Sequence, residues 1–190
     1  DSGTASIGGY DIVDQAIECR RQIGYLPEDT PLYPEMNVME SLEYAAGLQG
    51  VKSSELPAAV SKVIDMCGLE KVLTKSIHQL SKGYHQRVGL AQAMIHDPEV
   101  LVLDEPSSGL DPNQIREIRE LIREIGKKKT IILSTHILPE VEMTCGRVII
   151  INEGKIVTDC KIEDIRTFAG GESVYYLTVR APKEDFSNGL

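Results

Sequence analysis

The run Val100–Leu101–Val102–Leu103, ended at once by Asp104–Glu105–Pro106, constrains this chain more than any other segment. Four apolar residues without polar alternation are expected of a strand buried on both faces, and such strands belong to parallel sheets covered by helices. Thr130–Leu133 is a second run of this kind and Arg147–Ile151 a third. Between the first two, Asn113 to Ile125 is amphipathic through Ile115, Ile118, Leu121, Ile122 and Ile125. Strand, helix, strand at this spacing is a βαβ unit, so the expected fold is α/β with a parallel sheet and helices on its faces.

Upstream the rhythm is different. Ser6 to Ile12 reads as a short strand broken at Gly8–Gly9, and Ile23 to Leu26 as another, closed by Pro27. From Asn37 the pattern is helical. Asn37 can cap a helix reaching Gly50, Ser53 or Ser54 starts a second that stops at Gly68, and a third runs from Ser81–Gly83 to Asp97–Pro98. Beyond the third apolar run, Gly154–Thr158 is expected as a strand after a tight turn, Ile162–Phe168 as a short helix and Val174–Arg180 as a strand that begins something new.

The 190 residues suffice for one domain with a core and a small appendage. Twenty Lys and Arg against 29 Asp and Glu leave a net charge of −9, which argues against nucleic acid as the main partner. The apolar runs are too short to span a bilayer and no signal-like segment opens the chain, so a membrane is expected to be reached only through a partner. Cys19, Cys67, Cys145 and Cys160 have no metal-ligand spacing and read as reduced thiols of a cytosolic protein. His78, His85, His96 and His136 form no zinc pattern.

A buried parallel strand delivers whatever follows it to the carboxyl edge of the sheet, where α/β proteins bind ligands. Two adjacent carboxylates there can divide labour, one binding a hard cation such as Mg²⁺ and the other activating water. The lesser reading of Asp104 and Glu105 taken alone is that they merely solubilise a strand end. Thr130–Leu133 runs into Ser134–Thr135–His136, which brings a histidine to the same edge; alone, His136 would more often be structural. Ser81 and Gly83 open a helix whose positive end suits an anion, although a simple N-cap would explain the serine. Ser108–Gly109–Leu110–Asp111–Pro112 could be only a turn into a helix.

Together these segments resemble a known set. Val100 to Glu105, Ser108 to Asp111, Leu80 to Arg87 and Ser134 to His136 resemble, in order and spacing, the Walker B, D-loop, signature and switch-histidine motifs of ABC-family ATPases. Ile23 to Glu28 looks like the Q-loop, and the resemblance covers about Gly3 to Ile165. The signature Leu80–Ser81–Lys82–Gly83–Tyr84 with Gln86–Arg87 is similar to ATP-binding subunits of ABC-2-type exporters, in the gliding-motility and multidrug branches. Three departures stand out. Glu28 replaces the Q-loop glutamine, the signature reads L-S-K-G-Y for L-S-G-G-Q, and no G-x-x-x-x-G-K-[ST] phosphate loop occurs. With Asp1–Gly3 reading as a turn already inside a fold, the expectation is an N-terminally truncated domain.

The resemblance implies a P-loop NTPase-like parallel-sheet core with an inserted helical subdomain, its first strands and P-loop absent. The implied organisation is a partial α/β core with the Q-loop over 1–36 and a helical subdomain ending in the signature over 37–87. An α/β core with Walker B, D-loop and switch histidine then spans 88–165, and 166–190 begins a C-terminal extension. It also implies ATP and Mg²⁺ as cofactors, with Asp104 holding Mg²⁺ through water, Glu28 contacting the metal and linking the site to a transmembrane permease, and Glu105 as general base. His136 would contact the γ-phosphate, Asp111 would connect paired sites, and Ser81 and Gly83 would bind γ-phosphate held by the opposite subunit. The implied protein is an ATPase that powers a membrane exporter by ATP-driven dimerisation, as a homodimer or with a paired ATP-binding subunit, on the cytoplasmic face of the membrane. The alternatives are an ABC ATPase without a transporter and a regulatory module that does not hydrolyse ATP. The truncated chain alone is expected to be inactive.

Overall fold

A computed structural model describes residues 3–165 and divides the chain into two compact units, between Thr144 and Cys145. The expected strand at Val174–Arg180, and the end of the expected helix Ile162–Phe168, lie outside the described residues.

The first unit opens with β1 (Ser6–Ile7) and β2 (Tyr10–Asp11), an antiparallel hairpin. The break expected at Gly8–Gly9 is its turn, with φ of 60° and 85°, the left-handed pair that matches strand twist in two-residue hairpin loops. A short helix, α1 (Ala16–Arg21), leads to β3 (Ile23–Leu26). Three helices follow: α2 (Val38–Leu48), α3 (Leu56–Cys67) and α4 (Lys82–Met94). Asn37 caps α2 in a reciprocal box with Glu40, each side chain accepting the other's backbone N–H at 2.9 Å. Gly68 ends α3 in the left-handed conformation, φ 64°, that a C-terminal glycine permits.

The chain then enters β4 (Val100–Asp104), α5 (Pro112–Gly126), β5 (Thr130–Ser134) and α6 (Leu138–Thr144). Strands β3, β4 and β5 form a parallel sheet in that order, with Leu26, Leu103 and Leu133 in register. One core joins the sheet to the helices: Leu26, Leu101 and Leu103 meet Leu42 of α2, Val63 of α3 and Val88 of α4. Each such fully buried leucine contributes roughly 1.5–3 kcal/mol. α4 lies so close to β3 that a side chain at Gly24 would run into the Ala93 carbonyl and come within 2.6 Å of Leu101 Cδ2.

Two expectations are corrected here. The apolar runs at Val100–Leu103 and Thr130–Leu133 are not buried on both faces. Leu101 and Leu103 are buried, Val100 and Val102 half-buried, and on the face that Tyr25, Val102 and Ile132 share, Tyr25 and Ile132 stay exposed. Their burial alternates because the helices pack against the leucine face. The third run, Arg147–Ile151, is not a strand of the parallel sheet. It forms β6 (Arg147–Asn152), paired antiparallel with β7 (Lys155–Lys161) in the second unit. Glu153 and Gly154, at φ 49° and 73°, make its tight turn, and Arg147 grips Asp159 with two bonds of 2.7 and 2.6 Å. Its apolar content reflects a two-faced hairpin, with Ile149, Ile151 and Val157 exposed. Among the described residues no helix is long and apolar enough to cross a membrane.

Candidate nucleotide site

The three parallel strands end at one edge, and each is followed by a residue singled out in the sequence: Glu28 after β3, Asp104 and Glu105 at the end of β4, and His136 after β5. Glu105 extends the ladder one step, its N–H donating to the Ser134 carbonyl at 2.9 Å. It does so at φ 44°, a left-handed conformation uncommon for a residue with a side chain. The chain therefore turns sharply straight after Asp104, and the Glu105 carboxylate reaches the loop beyond β5.

That carboxylate gathers three donors. The His136 N–H reaches Oε1 at 3.0 Å, His136 Nδ1 reaches the same oxygen at 2.7 Å, and the Thr135 hydroxyl donates to Oε2 at 3.2 Å. An ionised carboxylate only accepts, so Nδ1 carries the proton and Nε2 is the nitrogen left for a ligand. The Glu105 bond also raises the pKa of His136 above its ordinary value. The ring itself is 80% exposed, whereas the Glu105 side chain is 16% exposed. A sheltered acid thus orients an exposed imidazole.

Glu28 joins the same edge through Ser108, whose hydroxyl donates to Glu28 Oε1 at 3.0 Å while its N–H donates to the Glu105 carbonyl at 2.9 Å. Glu28, Glu105 and His136 are therefore linked through one turn, with Asp104 adjacent in the chain. Among the described residues no group of three or more His, Cys, Asp or Glu side chains is placed to hold a metal. One or two carboxylates are nevertheless the usual protein share of a Mg²⁺ site, whose other ligands are water and phosphate oxygens. Asp104 at the end of β4 and Glu28 after β3 are the carboxylates at this edge that could supply that share.

The remaining residues sit at helix starts. Ser81 caps α4, its hydroxyl accepting the Tyr84 N–H at 3.4 Å, and Asp111 caps α5, one oxygen accepting the N–H groups of Asn113 and Gln114 at 2.9 and 3.1 Å. Gly83 is buried against α5: a Cβ there would lie 2.9 Å from Gln114 Cδ. The Lys82 ammonium occupies the space that a side chain at Gly109, φ 65°, would fill, so the start of α4 rests on the turn before α5. A cleft of about 370 Å³ separates Glu28–Thr30 from Leu80, Lys82 and His85, and burial lowers the His85 pKa. Thr135 had no mark in the sequence beyond its place between a strand end and a histidine.

A family model described as ABC transporter matches residues 1–108. The chain belongs to the ABC transporter family. A second model, an AAA domain described as a putative AbiEii toxin, matches residues 74–143 of this ABC chain. Among curated ABC relatives, the linearmycin resistance ATP-binding protein LnrL of Bacillus subtilis is 30% identical over 98% of this chain and 60% of its own length. The ABC transporter ATP-binding protein NatA of the same organism is 32% identical over 92% of this chain and 72% of its own length. The bacitracin transport ATP-binding protein BcrA of Bacillus licheniformis is 35% identical over 87% and 54%. The chain thus spans little more than half the length of several ABC relatives. A solved ATP-binding subunit of an ABC transporter superposes with a TM-score of 0.75 at 34% identity, covering 89% of this chain and 71% of that one. CbiO1 of Clostridium perfringens, described as part of the complex cbiONQ, gives 0.79 at 28% identity, covering 88% and 69%. The P-loop NTPase-like α/β core expected from the ABC resemblance agrees with these neighbours.

Proposed function

We propose that this chain supplies the Walker B, signature, D-loop and switch-histidine segments of an ATPase subunit that powers an ABC exporter by ATP-driven pairing of two such domains. The observation that carries the reading is the Glu105 carboxylate at the end of a parallel strand, holding Nδ1 of an exposed His136 at 2.7 Å. Glu105 accepts the proton of the attacking water. His136, whose pKa the Glu105 bond raises, donates as the doubly protonated imidazolium from Nε2 toward a γ-phosphate oxygen, where negative charge is stabilised during transfer. Asp104 would hold Mg²⁺ through water, and Glu28 would offer a second carboxylate. Bound Mg²⁺ supplies neutralisation of phosphate charge. Ser81 and Gly83 contact the γ-phosphate held by the opposite subunit, and Asp111 connects the two sites.

Export is favoured by the names of the linearmycin and bacitracin relatives. The permease contacts the surface around Glu28 to Glu35 and the helical segment after Asn37. Tyr33 and Tyr44 form an edge-to-face pair there, with centroids 5.4 Å apart and 53% and 40% exposure, while Leu48 is 71% exposed. Such a subunit sits on the cytoplasmic face of the membrane through that partner.

The test is Glu105→Gln in the natural full-length subunit. The amide keeps shape but cannot accept a proton, so turnover falls ~10²–10⁴-fold while nucleotide binding persists and ATP-bound pairs accumulate. Near-normal phosphate release from that variant removes Glu105 from the base role.

A further inference from the structure

His136 lies in a loop between two anchors. On one side, Thr135 bonds Glu105 and also accepts the Ile137 N–H at 3.2 Å. On the other, Glu140 in the first turn of α6 reaches back to the segment after β4, where the Ser107 hydroxyl donates to its Oε2 at 2.6 Å. Both side chains of this second contact are buried, at 6% and 7% exposure. Buried carboxylates are rare without a partner, and a short bond to an ionised acceptor is strong in such surroundings. Ser107 stands two residues beyond Glu105, and Glu140 four beyond His136. The two anchors therefore join the same two chain segments on either side of the Glu105–His136 pair.

We infer that Glu140 and Ser107 are positioning residues: their buried bond fixes the start of α6 against the turn after β4 and so sets His136 on Glu105. Thr135 alone fixes only the approach to the histidine; the exit is fixed by Glu140. Breaking the Ser107–Glu140 bond frees α6 to swing and lengthens the bond from His136 Nδ1 to Glu105. This deepens the proposed ATPase reading and takes its functional meaning from it, but the contact concerns groups present without nucleotide.

The experiment follows the His136 ring by NMR through a pH titration of the 190-residue chain without nucleotide, with thermal unfolding recorded beside it. The charged groups acting on His136 are Glu105 in contact and, farther off, Glu28 and Glu140. Neither Ser107→Ala nor Glu140→Asp removes an ionisable group. Glu140→Gln, whose amide oxygen still accepts from Ser107 but carries no charge, gives the shift that loss of this charge alone produces, which the shift in Ser107→Ala is expected to exceed. Ser107→Ala and Glu140→Asp are both expected to lower the His136 midpoint toward the ordinary ~6.5, and Ser107→Thr, which keeps the hydroxyl, is expected to retain the parent midpoint. An unmoved midpoint in Ser107→Ala overturns the inference, whether or not the melting temperature falls. Should that variant fail to fold, an unmoved midpoint in Glu140→Asp overturns it equally. A Ser107→Thr shift as large as that of Ser107→Ala does the same. Loss of ATPase activity from the natural subunit is not read by this titration, so the two proposals fail separately.

Discussion

Replacing Asp97 by asparagine tests how the helical segment is tied to the sheet. Asp97 follows α4 at φ 55°, a conformation that asparagine adopts as readily as aspartate, so the substitution removes charge without adding backbone strain. Its two carboxylate oxygens hold Lys62 of α3 at 2.8 Å and Lys129, just before β5, at 2.7 Å. The hydrogen bonds from Lys129 and then Lys62 hold the carboxyl at about 2, against an ordinary 3.8. At 1.36 kcal/mol per unit that depression corresponds to at most ~2.5 kcal/mol. The side chain is 59% exposed, and solvent screening brings the expected value to about 1 kcal/mol. A folded-state pKa below the unfolded value stabilises above the unfolded pKa and is lost as pH falls through the folded one. Urea unfolding at pH 7 should therefore show the Asp97→Asn variant about 1 kcal/mol less stable than the parent, with roughly half of that difference gone at pH 3. A difference that stays constant from pH 7 to pH 3 refutes the reasoning, since the cost would then not come from charge.

Gly24→Ala should destabilise by about 2 kcal/mol or more, because its Cβ meets the Ala93 carbonyl and neither β3 nor α4 can yield alone; a melting temperature within a degree of the parent would contradict the packing. Asn37→Ala should cost about 1 kcal/mol by opening the box with Glu40, and Asn37→Asp should recover most of it in the same denaturation assay. Calorimetric titration of the 190-residue chain with Mg-ATP should show no tight binding, because the sequence offers no lysine-bearing phosphate loop and Gly8–Gly9 forms a hairpin turn instead. Micromolar binding would place the nucleotide elsewhere.

The sequence alone identified β3, β4, β5, α4 and α5, because each carries an unbroken apolar run or a helical period ended by Pro, Gly or a cap. It also placed Asp104, Glu105 and His136 at one edge, since residues that follow parallel strands must emerge together, whereas Glu28 was marked only by the resemblance to a Q-loop and not by its place after β3. α1 and α6 were missed: six and seven residues hold too few turns for a period to show. The misassignment of Arg147–Ile151 has a related cause. Apolar content reports burial or a two-faced hairpin equally well, and only pairing with Lys155–Lys161 separates them. Ser107–Glu140 spans 33 positions and obeys no local pattern, so nothing nearby in the chain marks Glu140 as more than a surface acid.

Gly24 has a meaning beyond close packing. Strand β4 presents valines to one face and leucines to the other, so a slip of one residue would exchange apolar for apolar and meet little penalty from polarity. Such a slip would nonetheless rearrange the edge, because it would put Glu105 where Asp104 pairs with Ser134 and carry Pro106 into the place of Glu105. What forbids it is shape. The space left at Gly24 takes the Leu101 side chain; in that slip Leu101 would face Ile23 instead. An absent side chain on a neighbouring strand thus works as a ruler, and which of two adjacent acids meets Thr135 and His136 is decided by counting from it.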